Sequence, residues 1–195
     1  MALSSAGRRR ALTAQAKQEL DSLIARGVLM NGNAASPVLM IKGDLNEQER
    51  SGGDLLAGRD GAALHSALQT LGFAPEDFCA FSVVATAAPD PAMQEVPAGE
   101  LISAELMRET LEAFDPECVI VLDETAANVL REAYSSALAI IDDFNSAMLM
   151  PGLVVNVLGR RVLVLDGFEA ALDTPKEKQR MWAWIKQLKP ATAPY

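Results

Sequence analysis

The stretch "VLMIKGDLNE", Val38–Glu47, runs an apolar strand into a polar turn. Loops at strand ends are where layered α/β proteins usually place their chemistry, so what this turn holds, with Asp44 in it, is the first question. Reactive side chains are sparse elsewhere. Cys79 and Cys118, the two cysteines, sit in "FCAFSVV" and "CVIVL". In such runs a thiol behaves as a small buried hydrophobe, and two cysteines make neither a disulfide framework nor a four-thiolate site. The single His65 lies in "GAALHSALQTLG" beside the Leu64, Leu68 and Leu71 face and reads as a helix-flank residue. Tetrahedral zinc would lack ligands, and the neighbouring Asp142 and Asp143 of "IIDDF" point different ways, so no metal site is expected.

The elements that must position these groups follow from hydrophobic period. Leu12, Ala16, Leu20, Leu23 and Ile24 recur at helical spacing, predicting an amphipathic helix ending near Gly27, followed by a linker, "MNGNAASP". Four apolar runs rich in branched residues then read as strands: "VLMI", "FCAFSVVA", "CVIVL" and "RVLVL". Each is followed by a helix-period segment: 61–71, 101–114, 125–133 and 176–188. Continuous apolar strands alternating with helices predict βαβ units and a parallel sheet covered on both faces. "VVNVL", "GRR" and "VLVL" add the expectation of a hairpin placing an extra edge strand before the last parallel one. "TAAPDPAMQEVPAG" reads as a Pro-containing connecting loop. "DTPKEKQRMWAWIKQL" opens with Thr174 at the cap and Pro175 at the first helical position, with Trp182 and Ile185 facing the sheet.

Composition narrows the function classes. A chain of 195 residues with 50% hydrophobic content suits one compact domain. The net charge of -9 opposes the electrostatic term that drives binding to phosphate backbones, so direct DNA binding is expected to be weak or absent. Arg8, Arg9 and Arg10 are the exception, in a basic cluster near the N-terminus. No apolar run approaches the roughly 18 residues of a spanning helix, and the stretch after "GRRR" is unlike a secretory signal; a cytoplasmic protein without membrane contact is the expectation.

The order of the motifs resembles the uracil-DNA glycosylase superfamily, most closely its bacterial family-four type, from about Val38 to Leu188. "GGDLLAGRDGAALHSALQTLGFAPEDF" resembles that family's Gly-x-Leu-Leu helix start, "FDPECVIVLDETAANVL" its "I-x-P-x-V-I-V-x-L-G-x-T-A-A" segment, and "RVLVLDGFEAALDTPKEKQRMWAWIKQL" its final strand, loop and helix. The resemblance implies a three-layer α/β/α domain with a central, mostly parallel four-stranded sheet. The N-terminal helix and linker would occupy 1–36 and the domain 37–190.

The same resemblance implies a degenerate site. The acidic position of the family's "G-E-A-P-G" loop falls on Gly43, the base-stacking aromatic on Leu56, the base-reading asparagine on Ser82, and the "H-P-S" loop on Gly167, Phe168 and Glu169. Leu56 offers no π face, and Ser82 lacks an amide's donor and acceptor pair. The histidine that stabilises the departing base is gone. Thr86 stands at one position of a cluster cysteine, so no iron–sulfur cofactor is expected. The resulting expectation is a catalytically inactive fold whose vestigial base pocket comprises Gly43, Asp44, Leu56, Ser82 and Gly167. The alternative is a divergent glycosylase working through Asp44 and Glu169.

"SPVLMIKGDL" and "EAALDTPKEKQRMWAWI" also resemble the psi-subunit family of the bacterial DNA polymerase III clamp-loader assembly, a glycosylase-like fold without glycosylase chemistry. That resemblance implies an adaptor in DNA replication or repair, with a clamp-loader or chi-type protein as partner. The expected partner-binding residues are Arg8, Arg9, Arg10, Leu20, Leu23 and Ile24.

Overall fold

The computed structural model of the chain describes residues 17–33, 36–74 and 77–189. Helix α1, 17–25, leads into strand β1, Met30–Gly32. β2 is Val38–Lys42, followed by the one-turn helix α2, Glu47–Arg50, and by α3, Arg59–Thr70. β3, Phe78–Ser82, connects through α4, Ala104–Phe114, to β4, Cys118–Val121, and then α5, Glu124–Ala133. Two further turns, α6 (Ser135–Leu138) and α7 (Phe144–Ala147), precede β5, Val154–Val157, and β6, Arg160–Val164. The chain closes with α8, Phe168–Ala171, and α9, Pro175–Ile185.

These elements form one six-stranded mixed sheet in the order β1-β3-β2-β4-β6-β5. The four strands expected from the sequence are its centre and run parallel to one another. Antiparallel strands flank them: β5 pairs with β6 and β1 with β3. Among the described residues the sheet therefore has six strands, not four. β5 is the edge strand expected from the hairpin pattern, with Leu158 and Gly159, both at positive φ, forming the two-residue turn. β1 lies in the segment read as a linker: "MNG" carries no apolar alternation, and the ladder to Phe81, Ala80 and Cys79 makes it a strand.

The two-residue strand period divides the core in two. Leu39, Ile41, Phe81, Val119, Val121 and Val162 face α1, α4 and α5. Val38, Met40, Phe78, Ala80, Ile120 and Leu163 face α3, α8 and α9. The helices that meet the sheet do so through spaced apolar positions, as in α4 with Leu106, Met107, Thr110, Leu111 and Phe114 buried. Ser103 caps that helix, accepting from the Leu106 N–H. Small residues, Ala126, Ala127 and Ala133, bring α5 close to the sheet.

Leu20 and Leu23 of α1 are buried in the first core cluster; they pack on the domain and present nothing to a partner, whereas Ile24 stays exposed. Arg8, Arg9 and Arg10 lie outside the described residues. Thr174 stands at the N-cap of α9 without a side-chain capping bond, so Pro175 sets that entrance alone. Ile185 is buried against the sheet, Trp182 and Trp184 are half-buried, and Gly152 packs directly on the Trp184 indole.

Candidate functional site

The chain leaves β2 toward α3 on one face and leaves β4 toward α5 on the other. Between the carboxyl ends of these neighbouring parallel strands the connections diverge, which is where open α/β sheets hold ligands. A cavity of about 320 Å³ opens there, lined by Lys42 and Asp44 after β2, Arg59 and Asp60 at the start of α3, Asp123 after β4, and Gly167 and Glu169 after β6.

Lys42 is the organising residue. It continues the Val38, Met40 parity, so its side chain leaves the sheet on the α3/α8 face. There Nζ meets Asp60 Oδ2 at 2.7 Å, Glu49 Oε2 at 2.8 Å and Glu169 Oε2 at 3.0 Å. Lys42, Glu49 and Asp60 are buried. Burial works against the charged ammonium, but its hydrogen bonds to Asp60, Glu49 and Glu169 outweigh that cost and raise its pKa above the ordinary lysine value. The ammonium stands where a cation bridging these carboxylates would stand. Among the described residues no group of three or more His, Cys, Asp or Glu is arranged to hold a metal.

Glu49 also fixes the loop that crosses the cavity's edge. Its carboxylate accepts from the Asn46 N–H while Asn46 Oδ1 accepts from the Glu49 N–H, a capping box that opens α2, and Glu49 Oε1 accepts from the Leu56 N–H. Asp123 anchors the turn after β2: its Oδ2 accepts from the amides of Gly43 and Asp44, and its Oδ1 caps α5 through Ala126. Gly43 is required by close approach, since a Cβ would lie 2.7 Å from Thr125 Cβ. Asp44 Oδ1 accepts from Thr125 Oγ1 at 2.7 Å.

Of the residues singled out in the sequence, Asp44, Gly167 and Glu169 line this cavity, and Gly43 is held beside it through Asp123. Leu56 is buried at φ 56° and lines a second cavity, about 280 Å³, with Asn31, His65 and Phe78. There His65 stacks on Phe78 at 4.9 Å between ring centroids, and burial lowers its pKa. Ser82 is buried and its Oγ accepts from the Val84 N–H.

Sequence reasoning missed Lys42, Glu49, Asp60 and Asp123. Two signals were present: a lysine closing an otherwise apolar strand, and Asn-x-x-Glu ahead of a turn of helix.

Five carboxylates, Asp44, Asp60, Asp123, Glu169 and Asp173, line the cavity against two cations, Lys42 and Arg59. Arg59 is itself paired with Asp173 at 2.6 Å. The excess negative charge repels phosphate and favours neutral or cationic groups.

Neither a protein-family model nor a curated protein sequence matches the chain. Among the described residues, no helix is long and apolar enough to cross a membrane.

Proposed function

We propose that this chain is an inactive glycosylase-like scaffold that works as a protein-binding adaptor in DNA replication or repair, in the manner of the psi subunit of DNA polymerase III. In this reading the three-layer glycosylase-like architecture is kept for its surface, and a clamp-loader or chi-type protein is the partner.

The observation that carries the reading is a run of exposed apolar side chains in the segment between α5 and β5, none of which lines the cavity. Ile140 is 80% exposed and Phe144 73%, and Met148, Met150 and Leu153 of the same segment are exposed as well. Large apolar groups clustered on a surface mark protein contact. The cavity supports the other half of the proposal. Base excision needs a pocket that reads the base and groups that stabilise its departure. Here Glu169 is engaged by Lys42, Asp44 by Thr125, and the lining is acidic.

The test is paired. The tagged full chain is recovered from its own cells and co-purifying proteins are identified, while the purified protein is assayed for uracil excision on single-stranded DNA. Recovery of clamp-loader or chi-type proteins without excision agrees with the proposal. Excision that disappears in Asp44→Ala overturns it and makes the chain a glycosylase.

A further inference from the structure

We infer that the open edge of β5, with the apolar segment that precedes it, receives an extended partner segment in which apolar residues alternate with Lys or Arg. The inference rests on the adaptor reading and adds where the partner sits and what it is made of.

The edge follows from register. In a hairpin closed by a two-residue turn the flanking pair is hydrogen-bonded, here Val157 with Arg160, and bonded pairs recur at every second position, next at Val155 with Val162. The N–H and C=O groups of Val154 and Asn156 therefore point away from β6. β5 is the last strand of the sheet among the described residues, so those groups are offered to an added strand.

The apolar anchors precede this edge in the chain. Gly152 donates its N–H to the Val164 carbonyl, which brings the chain into β5 along β6, and Arg131 Nε holds the Met148 carbonyl against α5. Leu138 and Leu149 bury into the same core cluster as Val155 and Val157. Met148 and Met150 stand exposed four to six residues before Val154, and the exposed Ile140 and Phe144 precede them in the same segment.

Charge selects the occupant. No Lys or Arg occurs from 132 to 159, whereas Glu132, Asp142 and Asp143 do. Of the flanking cations, Arg131 pairs with Glu124 and Arg160 with Asp115, while Arg161, opposite Asn156, donates to the Lys189 carbonyl. A second copy of the chain pairing here would set these acids against their own equivalents, and an acidic partner would be repelled. A basic segment gains on both counts.

The experiment uses the full chain in its own cells with the photoreactive residue p-benzoylphenylalanine in place of Phe144 or, separately, of Ile24, and identifies the cross-linked peptides by mass spectrometry. The expected result is a cross-link from position 144 to a partner peptide that alternates apolar residues with Lys or Arg. Val154→Pro removes one outward N–H and leaves the bonded pairs at Val155 and Val157 in place; it should lower that yield about tenfold, as loss of one good backbone hydrogen bond would. Asp142→Lys, which leaves the backbone untouched, should lower it several-fold. Cross-linking to a second copy, to an acid-rich peptide, or a yield indifferent to both substitutions overturns the inference. Absence of any cross-link at 144 with capture of a clamp-loader protein at 24 overturns the surface and leaves the adaptor reading standing. Uracil excision with no partner at either position overturns both.

Discussion

Lys42→Met is the most informative single substitution. It keeps an unbranched side chain one atom shorter and removes the one positive charge that three carboxylates share at 2.7 to 3.0 Å. The side chains of Glu49 and Asp60 are each only 2% exposed, so water cannot replace the ammonium without the loop opening. Removing one partner from a buried ion pair typically costs about 3–5 kcal/mol, because the remaining charge is left unpaired in a poor solvent. For a chain of 195 residues that corresponds to a fall in Tm of roughly 6–20 °C. Urea unfolding followed by circular dichroism at neutral pH measures it. The second carboxylate oxygen of Asp60 accepts no bond, so the companion variant Lys42→Met with Asp60→Asn removes one orphaned charge and should recover part of the loss. A loss below about 1 kcal/mol for Lys42→Met alone, the range of an exposed pair, would refute the view that this ammonium holds the strand end and loop together.

The same pairing sets an alkaline limit: because folding raises the Lys42 pKa, its stabilisation is complete below the ordinary lysine value of about 10.4 and is lost as pH rises through the higher folded value, which unfolding titrations of the wild type and Lys42→Met would separate. Asp123→Ala strips the acceptor from the Gly43, Asp44 and Ala126 amides and should cost about 2–5 kcal/mol by urea unfolding, with Asp123→Asn costing less. Gly61→Ala would place a Cβ 1.7 Å from the Leu56 carbonyl oxygen, so α3 must shift and stability should fall by about 1–3 kcal/mol or more. Burial pushes the thiols of Cys79 and Cys118 up to about 12, and neither should react with a disulfide reagent at pH 8 until the protein is unfolded. Burial lowers the His65 pKa, so its contribution is present above the ordinary histidine value of about 6.5 and fades as pH falls below it; His65→Leu should flatten the stability profile there.

The sequence by itself determined the parallel centre of the sheet and its main helices. The four branched apolar runs became β2, β3, β4 and β6, because a strand buried on both faces reads as a nearly continuous apolar run. The helices were legible for the complementary reason: a surface helix buries a stripe, as Leu106, Met107, Leu111 and Phe114 do in α4. The two cysteines read correctly as buried hydrophobes.

Tertiary structure decided the rest. β1 exists because Met30–Gly32 pairs with an open edge of β3, a long-range gain that outweighs its weak local propensity. Leu20 and Leu23 fit either a partner or a core by spacing alone, and only packing assigned them to the core. The charge cluster was hidden most completely. Lys42 lies 18 residues from Asp60 and 127 from Glu169, and each residue of the cluster alone reads as an ordinary polar residue at the end of an element. Glu49 and Asp60 reach the Lys42 ammonium from the loop and helix after its own strand, and Glu169 reaches it from the turn after β6, which lies beyond β4 in the sheet. Local period carries the burial pattern of each element, while a charge's partner depends on which strand ends become neighbours.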